Sequence, residues 1–576
     1  AEAPVLLMKK GGSTSDKKWI QKAINPAHKG YCTPMTKPTC TPKRKALAVT
    51  LKKMAKKKVK PQHIRNKEAL HRGLESLKQP VKSTTKQKRL ALLAVLLLTF
   101  VCFIPSINNE FTNWDDDIYV LENPYLATFS AENLKNICTT PINGNYNPLT
   151  MLTFAIEKHF FGENPTPFHL NNILLHLFNA ALVFFLSLLL RLPLMASALV
   201  ALLFGIHPMH IESVAWITER KDVLYAFFYL LSLICYVKYV QEKPLKTLFY
   251  SLTIVFMLLA AFSKIQAVSL PLSLLVIDYY FKRTFNFKAL AEKIPHFIIA
   301  LCFGLFGIFF LNDTEYLRLA SQNYSFFDRS LFGIYTLGMY LLKAVLPIEM
   351  AAHYPYPTKI NELLPMAFYV MPFLFAIVVF LLYKKQEIAK KMLFGFAFFF
   401  VNIVFMLQIL GAGEAFLADR FIYVAYFGLF FMMTKFYVYL IENQKDKQVF
   451  IQSAMIIYLL FLGMKSFQQM QTWENSNTLW TNVIEQFPNE DYLAYNNRGS
   501  YFLKQKQTQK ALADFNKAIA IQPNFQLPYI NRGNIYFRKN ENEKALADYA
   551  KALQFDPQNE EAYCNRGGIY VRQKKY

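Results

Sequence analysis

Charge is scarce in this chain. Asp, Glu, Lys and Arg make up 18% of its 576 residues, against about a quarter in an ordinary soluble chain. Cysteine is scarcer still, at seven: Cys32, Cys40, Cys102, Cys138, Cys235, Cys302 and Cys564. None stands at zinc-ligand spacing and no disulfide framework is apparent, which excludes a disulfide-stapled scaffold and a zinc-finger class. Tryptophan numbers only five. Acidic residues are outnumbered by basic ones, 39 to 64, and the formal net charge is +25. That surplus is not spread along the chain. Residues 1–89 hold 24 Lys/Arg and 4 Asp/Glu, so the rest is only mildly basic.

What the chain has in quantity is apolar surface. Hydrophobic residues reach 53% and aromatics 16%, the composition of a membrane protein. Four zones follow. Residues 1–89 form a basic tail, expected to be disordered and cytosolic, with anionic lipid or nucleic acid as its natural partners. Its basic stretch is too long for a signal peptide. Residues 90–467 are dominated by apolar runs, residues 468–491 are a polar junction, and residues 492–576 are repeats. Spanning helices need about 20 apolar residues. They are expected at 90–107, 170–190, 194–211, 222–240, 247–263, 265–281, 294–311, 364–383, 391–410, 421–441 and 450–467. The stretch 331–347 is interrupted by Gly333, Gly338 and Lys343 and is placed on the outer face. With the N-terminus cytosolic, eleven crossings put the basic loops at Arg191, Lys238–Lys246, Lys282–Lys293, Lys384–Lys391 and Lys445–Lys447 inside, as the positive-inside rule asks. The C-terminal repeats then lie outside. The membrane is the plasma (inner) membrane in a bacterium and the endoplasmic reticulum in a eukaryote. A transporter is disfavoured, because the spans show no internal repeat and the charges cluster outside rather than at midplane.

Asn-Arg-Gly recurs at 497–499, 531–533 and 565–567, a period of 34, which is the tetratricopeptide period. Ala-Leu-Ala-Asp plus an aromatic recurs at 511–515 and 545–549, and Pro523 and Pro557 close the units. Gly499 and Gly533 are expected to let paired helices approach, with Phe502 and Tyr536 beside them. Two full repeats and part of a third are legible, so the array is expected to continue beyond Tyr576. Trp473–Pro488 reads as a degenerate repeat. Such an array suits a protein or peptide acceptor.

The polar residues of the membrane zone fall in a few clusters. Asn113-Trp114-Asp115-Asp116-Asp117 follows the first span. Adjacent carboxylates raise one another's pKa unless a cation or donor balances them. Such a group can take a proton from a hydroxyl, or hold a divalent cation such as Mg or Mn. His207-Pro208-Met209-His210-Ile211-Glu212 is followed by Glu219-Arg220-Lys221-Asp222 in one external hairpin. Its spacing matches no standard zinc site. Positive charge on the outer side runs against the topological trend, and a lipid-linked phosphate would balance it. Lys264 and Asp419-Arg420 add cations near the same interface.

In this order the motifs resemble the transmembrane and tetratricopeptide repeat-containing protein O-mannosyltransferases, of the GT-C class. The resemblance covers about residues 107–576. It is carried by Asp115-Asp116 with Asn123-Pro124, Phe161-Gly162 with Phe168-His169-Leu170-Asn171 and His176, and His207-Pro208 with His210, Glu212, Ser213, Val214 and Ala215. Ser263-Lys264, Ala418-Asp419-Arg420 with Tyr423, and the repeats complete it. The resemblance implies an all-α fold, a polytopic helix bundle of about 11 spans followed by a repeat solenoid. It implies transfer of a mannose-like sugar from a polyprenyl-phosphate donor to Ser/Thr hydroxyls, with inversion. Asp115 or Asp116 would face the acceptor hydroxyl. Arg220, Lys264 and Arg420 would hold the donor phosphate, supported by His207, His210, Glu212 and Asp222. Two positions depart from the family pattern: Asn147-Pro148-Leu149 stands for Arg-Pro-Leu, and Lys264-Ile265 for Lys-Glu. The alternatives are a non-catalytic membrane-anchored scaffold acting through its repeats, and a GT-C transferase acting on a glycan or lipid.

Overall fold

A computed structural model describes residues 83–241, 245–311, 323–409 and 415–573. Expectations for the N-terminal tail before Ser83 lie outside the described residues. From Ser83 onward the chain forms one compact unit, and its described secondary structure is helical, apart from three isolated β-bridges.

The helices begin where the sequence supplies caps. α1 (Thr85–Phe103) opens on a capping box, in which Thr84 and Gln87 satisfy each other's backbone N–H. α2 (Ala131–Thr139) starts behind Ser130. α3 (Pro148–Phe161) and α4 (Pro165–Leu189) both open on proline, whose missing N–H costs nothing in the first turn. α3 stops at Gly162, whose φ of 63° suits glycine and strains other residues. α5 (Leu194–Ile206) ends two residues before Pro208, with His207 extended ahead of the proline. A 3₁₀ turn and α6 (Ile211–Ala215) follow, bent from α5 by 56°. The expected span 194–211 is therefore a broken one.

The body continues with α7 (Arg220–Gln241), α8 (Lys246–Ser263), α9 (Leu270–Tyr280), α10 (Phe287–Ala291) and α11 (Ile294–Leu311). Then come α12 (Phe326–Lys343), α13 (Met366–Lys384), α14 (Gln386–Ile403), α15 (Tyr426–Asn443) and α16 (Gln448–Thr472). Among the described residues six helices are long and apolar enough to cross a bilayer, or seven with the bent pair. The segments Ile265–Tyr280, Met366–Leu381 and Met392–Met406 are apolar but shorter. These three are briefer than the expected spans 265–281, 364–383 and 391–410; the first opens on a 3₁₀ turn at Ile265–Ser269 and the last closes on one at Val404–Met406.

Hydrogen bonds show which helix ends lie together. Gln241 donates to the Leu189 carbonyl at 3.0 Å, Tyr280 to the Leu190 carbonyl at 2.6 Å, and Tyr250 to the Glu292 carbonyl at 2.9 Å. Those turns form one end of the bundle. At the other end Ser466 bonds the Ile206 carbonyl, and Thr150 bonds the Ser263 carbonyl. The acidic and basic clusters of the membrane zone gather at this second end. α14 and α15 approach closely there and below because Gly395 and Gly428 face one another. A Cβ on either would meet the other's carbonyl oxygen at 2.4 or 2.3 Å.

The repeats are built as their period predicts. α17 (Ser476–Gln486) is the degenerate unit, and α18 (Tyr492–Lys504) pairs with α19 (Thr508–Ile521). α20 (Leu527–Arg538) pairs with α21 (Asn542–Phe555), and α22 (Glu560–Arg572) follows. Phe515 and Tyr549 of the second helices press on Gly499 and Gly533, while Phe502 and Tyr536 pack alongside. The protein is thus an all-α, multi-pass membrane helix bundle joined to tetratricopeptide repeats.

A Cβ at Gly499 would sit 2.7 Å from the Phe515 ring, whereas at Gly567 nothing lies within 4 Å. Gly499→Ala should lower stability by about 1–3 kcal/mol through overpacking. Gly567→Ala should be neutral, or raise stability by up to about 1 kcal/mol through helix propensity. Thermal unfolding of the two variants in detergent checks this, and equal unfolding temperatures would contradict the packing described.

Candidate functional site

The acidic loop leaves α1 and is stitched down at once. Asp116 is buried, and both its oxygens are saturated. Oδ2 accepts from the Thr112 backbone N–H at 2.8 Å and its hydroxyl at 3.0 Å. Oδ1 accepts from the Thr218 backbone N–H at 3.0 Å and its hydroxyl at 2.6 Å. Burial pushes the Asp116 carboxyl up, and the Thr218 and Thr112 bonds partly offset that. Asp117 caps its own turn through the Ile118 N–H. Asp115, half-buried, stands between Trp114 and Asp116.

The hairpin after α5 is not a solvated loop. Every residue from Leu203 to Ala226 is buried, so the segment read as external hairpin 212–221 is a plug at this end of the bundle. His207 accepts from the Met209 N–H and pairs with the Ala344 carbonyl, and His210 pairs with the Phe204 carbonyl. Both rings pack among Phe204, Tyr423, Tyr426 and Phe430. They are core histidines that shape the plug.

Arg220, expected to hold phosphate, is placed elsewhere. It is 1% exposed, and its guanidinium is spent on Glu157, the Asn172 side chain at 2.6 Å and the Phe168 carbonyl at 2.7 Å, over the Phe154 ring. It ties α7 to α3 and α4. The next residue takes the other direction, because consecutive helical side chains diverge by about 100°. Lys221 lies over the Tyr119 and Trp216 rings and pairs with Glu219 at 3.1 Å.

Glu219 is the hub. Besides Lys221 it receives Lys264 at 3.1 Å and Arg420 at 3.2 Å. Lys264 also reaches Asp222 at 2.6 Å, whose second oxygen accepts from Ser213 at 3.0 Å. Arg420 also binds Glu212, through its side chain at 2.5 Å and its backbone N–H at 2.9 Å. Burial alone would push the Glu219 carboxyl up, but Lys221, Lys264 and Arg420 outweigh it and hold the group well below the usual carboxylate range. The Lys264 and Arg420 side chains keep 12% and 18% exposure, so neither is fully enclosed. Asp419 points away, into the Lys343 and Tyr354 side chains.

Four tryptophans close the site. Trp114 stacks on Trp216 at 4.7 Å between centroids, Trp216 on Trp473 at 5.5 Å, and Trp480 tilts against Trp114 at 5.1 Å. Arg420 lies over both Trp114 and Trp216. The sequence pointed to the pair Arg220-Lys221 without saying which of the two joins the cluster, and it missed the central place of Glu219 and this stack. The rarity of tryptophan was the one signal for the stack, since four of the five serve a single cluster. The arrangement does not fit a resident divalent ion: Glu212, Glu219 and Asp222 face cations, and Asp116 is saturated. Among the described residues no three His, Cys, Asp or Glu side chains gather as metal ligands.

The comparisons agree with the motifs. A tetratricopeptide repeat model matches residues 492–525, and a second model described as TPR repeat matches 533–574. Among curated proteins the chain is similar to Protein O-mannosyl-transferase TMTC4 of Homo sapiens, 30% identical over 232 residues, or 36% of this chain and 31% of that protein. It is 39% identical over 99 residues to Protein O-mannosyl-transferase TMTC2 of Homo sapiens, covering 17% of this chain and 12% of that one. It is 30% identical over 200 residues to Protein O-mannosyl-transferase Tmtc1 of Drosophila melanogaster, covering 33% and 23%. Over these stretches the chain is similar to the O-mannosyl-transferases named. The matched stretches span less than a third of each of these relatives' own lengths.

The two cation classes should separate by stability. Arg220→Ala leaves Glu157 buried without its partner and should cost about 3–5 kcal/mol. Lys264→Ala, at the open edge, should cost less than half of that. Thermal unfolding in detergent measures both, and a Lys264 variant as unstable as the Arg220 variant would refute the assignment.

Proposed function

We propose that the chain is a membrane glycosyltransferase of the GT-C class. In this reading it moves a mannose-like sugar from a polyprenyl-phosphate donor to Ser/Thr hydroxyls of protein acceptors, on the extracytoplasmic side of a body of eleven spans. The observation that carries it is the convergence of Lys221, Lys264 and Arg420 on Glu219 beside the acidic loop. The relatives, all named O-mannosyl-transferases, point the same way.

The chemistry needs a base at the acceptor and positive charge at the leaving group. Asp116 has no lone pair to spare after its four hydrogen bonds, so it serves as the strut. Asp115 is the base. The acceptor oxygen attacks the anomeric carbon as the carbon–oxygen bond to the phosphate breaks. The hydroxyl proton passes to the Asp115 carboxylate, and the lipid phosphate leaves with the bonding pair. The anomeric centre inverts. Lys264 and Arg420, with Lys221 behind them, meet the charge that develops on the phosphate. Glu219 holds these cations together before the donor arrives, so little reorganisation accompanies transfer. Trp114, adjacent to Asp115, carries Arg420 over its ring and so helps to fix that cation beside the base.

Asp115→Asn should lower transfer to a Ser/Thr peptide by about 10²–10⁴-fold, with the unfolding temperature unchanged. Asp116→Asn should instead lower the unfolding temperature, since an amide cannot accept all four donors. Radiolabelled sugar transfer by purified protein, alongside thermal unfolding, measures the pair. Unchanged transfer by the Asp115 variant would sink the proposed role and favour a scaffold acting through the repeats.

A further inference from the structure

At the end of the bundle opposite the candidate site, the carboxylates of the stretch from α9 to α11 are already spent. α9 runs through a turn into α10 and the start of α11, and ion pairs brace that stretch. Lys293 reaches the Asp278 carboxylate at 2.5 Å and the Ala289 carbonyl at 2.7 Å. Arg283 reaches Glu292 at 2.5 Å and Asp278 at 3.6 Å. Tyr236 of α7 donates to Asp278 at 2.7 Å. The turn is therefore pinned to α7 and α9, and both of its carboxylates serve the inward-facing cations Lys293 and Arg283.

The outward-facing residues of this end are of another kind. Arg191, Lys238, Lys246, Lys282 and Lys288 lie in or beside three turns that Gln241, Tyr280 and Tyr250 tie together. Among the described residues none of these five cations pairs with a carboxylate. Lys238 lies over Phe249 at 5.1 Å, Lys246 over Tyr239 at 4.9 Å and Arg191 over Phe281 at 5.9 Å, so rings rather than acids hold them. Between Lys282 and Lys288 stand Phe285 and Phe287, 78% and 84% exposed, the two most exposed large apolar side chains among the described residues. Asn286 between them caps α10 through the Ala289 N–H at 2.9 Å, which fixes the turn that presents both rings. Leu290 and Ile294, also exposed, continue this apolar edge into α11.

We propose that this end of the bundle is a docking surface for anionic phospholipid headgroups, with Phe285 and Phe287 set among the acyl chains and Lys246, Lys282 and Lys288 paired with phosphate. The positive-inside bias asks only that such turns carry cations. It does not ask that the carboxylates be withdrawn to buried partners, nor that two phenylalanines stand out between lysines. Phenyl rings in water are unfavourable, whereas at the boundary of headgroups and acyl chains they are buried. The turn stands where the apolar helices α9 and α11 end, which is the level of that boundary. Cations without internal carboxylates need a counter-charge there, and a phosphodiester supplies it through charge-assisted hydrogen bonds. A free phosphate ion would match the lysines and leave both rings uncovered. The surface lies at the far end from Glu219 and is independent of the transfer reaction.

The test places the full chain in nanodiscs of phosphatidylcholine that hold a trace of phosphatidylglycerol with a photoreactive headgroup. After illumination, adducts are mapped by mass spectrometry of the peptides. Residues 1–89 are basic too, so only adducts on the peptide that holds Phe285 and Phe287 are scored. Adducts are expected there, and enriching the bilayer in unlabelled phosphatidylglycerol should remove them, while more phosphatidylcholine should not. The triple variant Lys246→Gln/Lys282→Gln/Lys288→Gln should lower their yield by about tenfold or more. Arginine at the same three positions should keep it. The competition arm uses the unmodified chain, so it stands even where the glutamine variant misfolds. Absence of adducts on that peptide overturns the proposal. So does equal competition by phosphatidylcholine, which would leave ordinary bilayer contact. Competition by soluble glycerol phosphate as strong as by phosphatidylglycerol would mark a free-phosphate site and overturn the lipid assignment.

Discussion

Three cations cannot share a largely buried pocket unless something holds them. At an effective dielectric constant of about 20, two unit charges about 4 Å apart repel by roughly 4 kcal/mol. Glu219 resolves this by accepting Lys221, Lys264 and Arg420 on its two oxygens. These residues come from the start of α7, the end of α8 and the loop before α15, three elements far apart in sequence. The carboxylate therefore closes this end of the helix bundle by holding three elements to one point. Glu212 and Asp222 take up further donors of Arg420 and Lys264, so three carboxylates face three cations and the cluster is close to neutral.

A second constraint locks the acidic loop onto that surface. Asp116 bridges Thr112 and Thr218, so the loop after α1 cannot move without the plug that bears Glu219. On its outer side the loop is held by Asn113 and the tryptophan stack. The repeats are consequently part of the same rigid construction rather than a loosely tethered arm. His353 pairs with Asp491 at 2.5 Å, and Asp491 also caps α18 through the Ala494 N–H. Membrane body and first repeat therefore share a hydrogen-bonded seam that begins beside Asp115.

Much of the fold was legible beforehand, because its signals are local and periodic. A 34-residue recurrence of Asn-Arg-Gly can only stack as helix pairs, and the small residues had to meet rings. Apolar runs with polar ends read as membrane helices, though three of them were overestimated in length. The site was less legible. Arg220 and Lys221 are neighbours of like charge, and nothing local says which turns inward to Glu157 and which faces Glu219. Asp115 and Asp116 posed the same problem: one is saturated by threonines, and Thr218 is 102 positions away from its partner.

By itself the sequence determined the helical class, the membrane body, the repeats and the residue types a phosphate-and-hydroxyl chemistry would need. Periodicity and composition act within a window of a few turns and survive any packing. Only the tertiary structure decided that Asp116 is the acid held by two threonines, which cations form a cluster, and that four distant tryptophans and Asn113 weld the repeats to the site. Those outcomes depend on the direction of individual side chains and on partners hundreds of residues away, information that no local pattern contains.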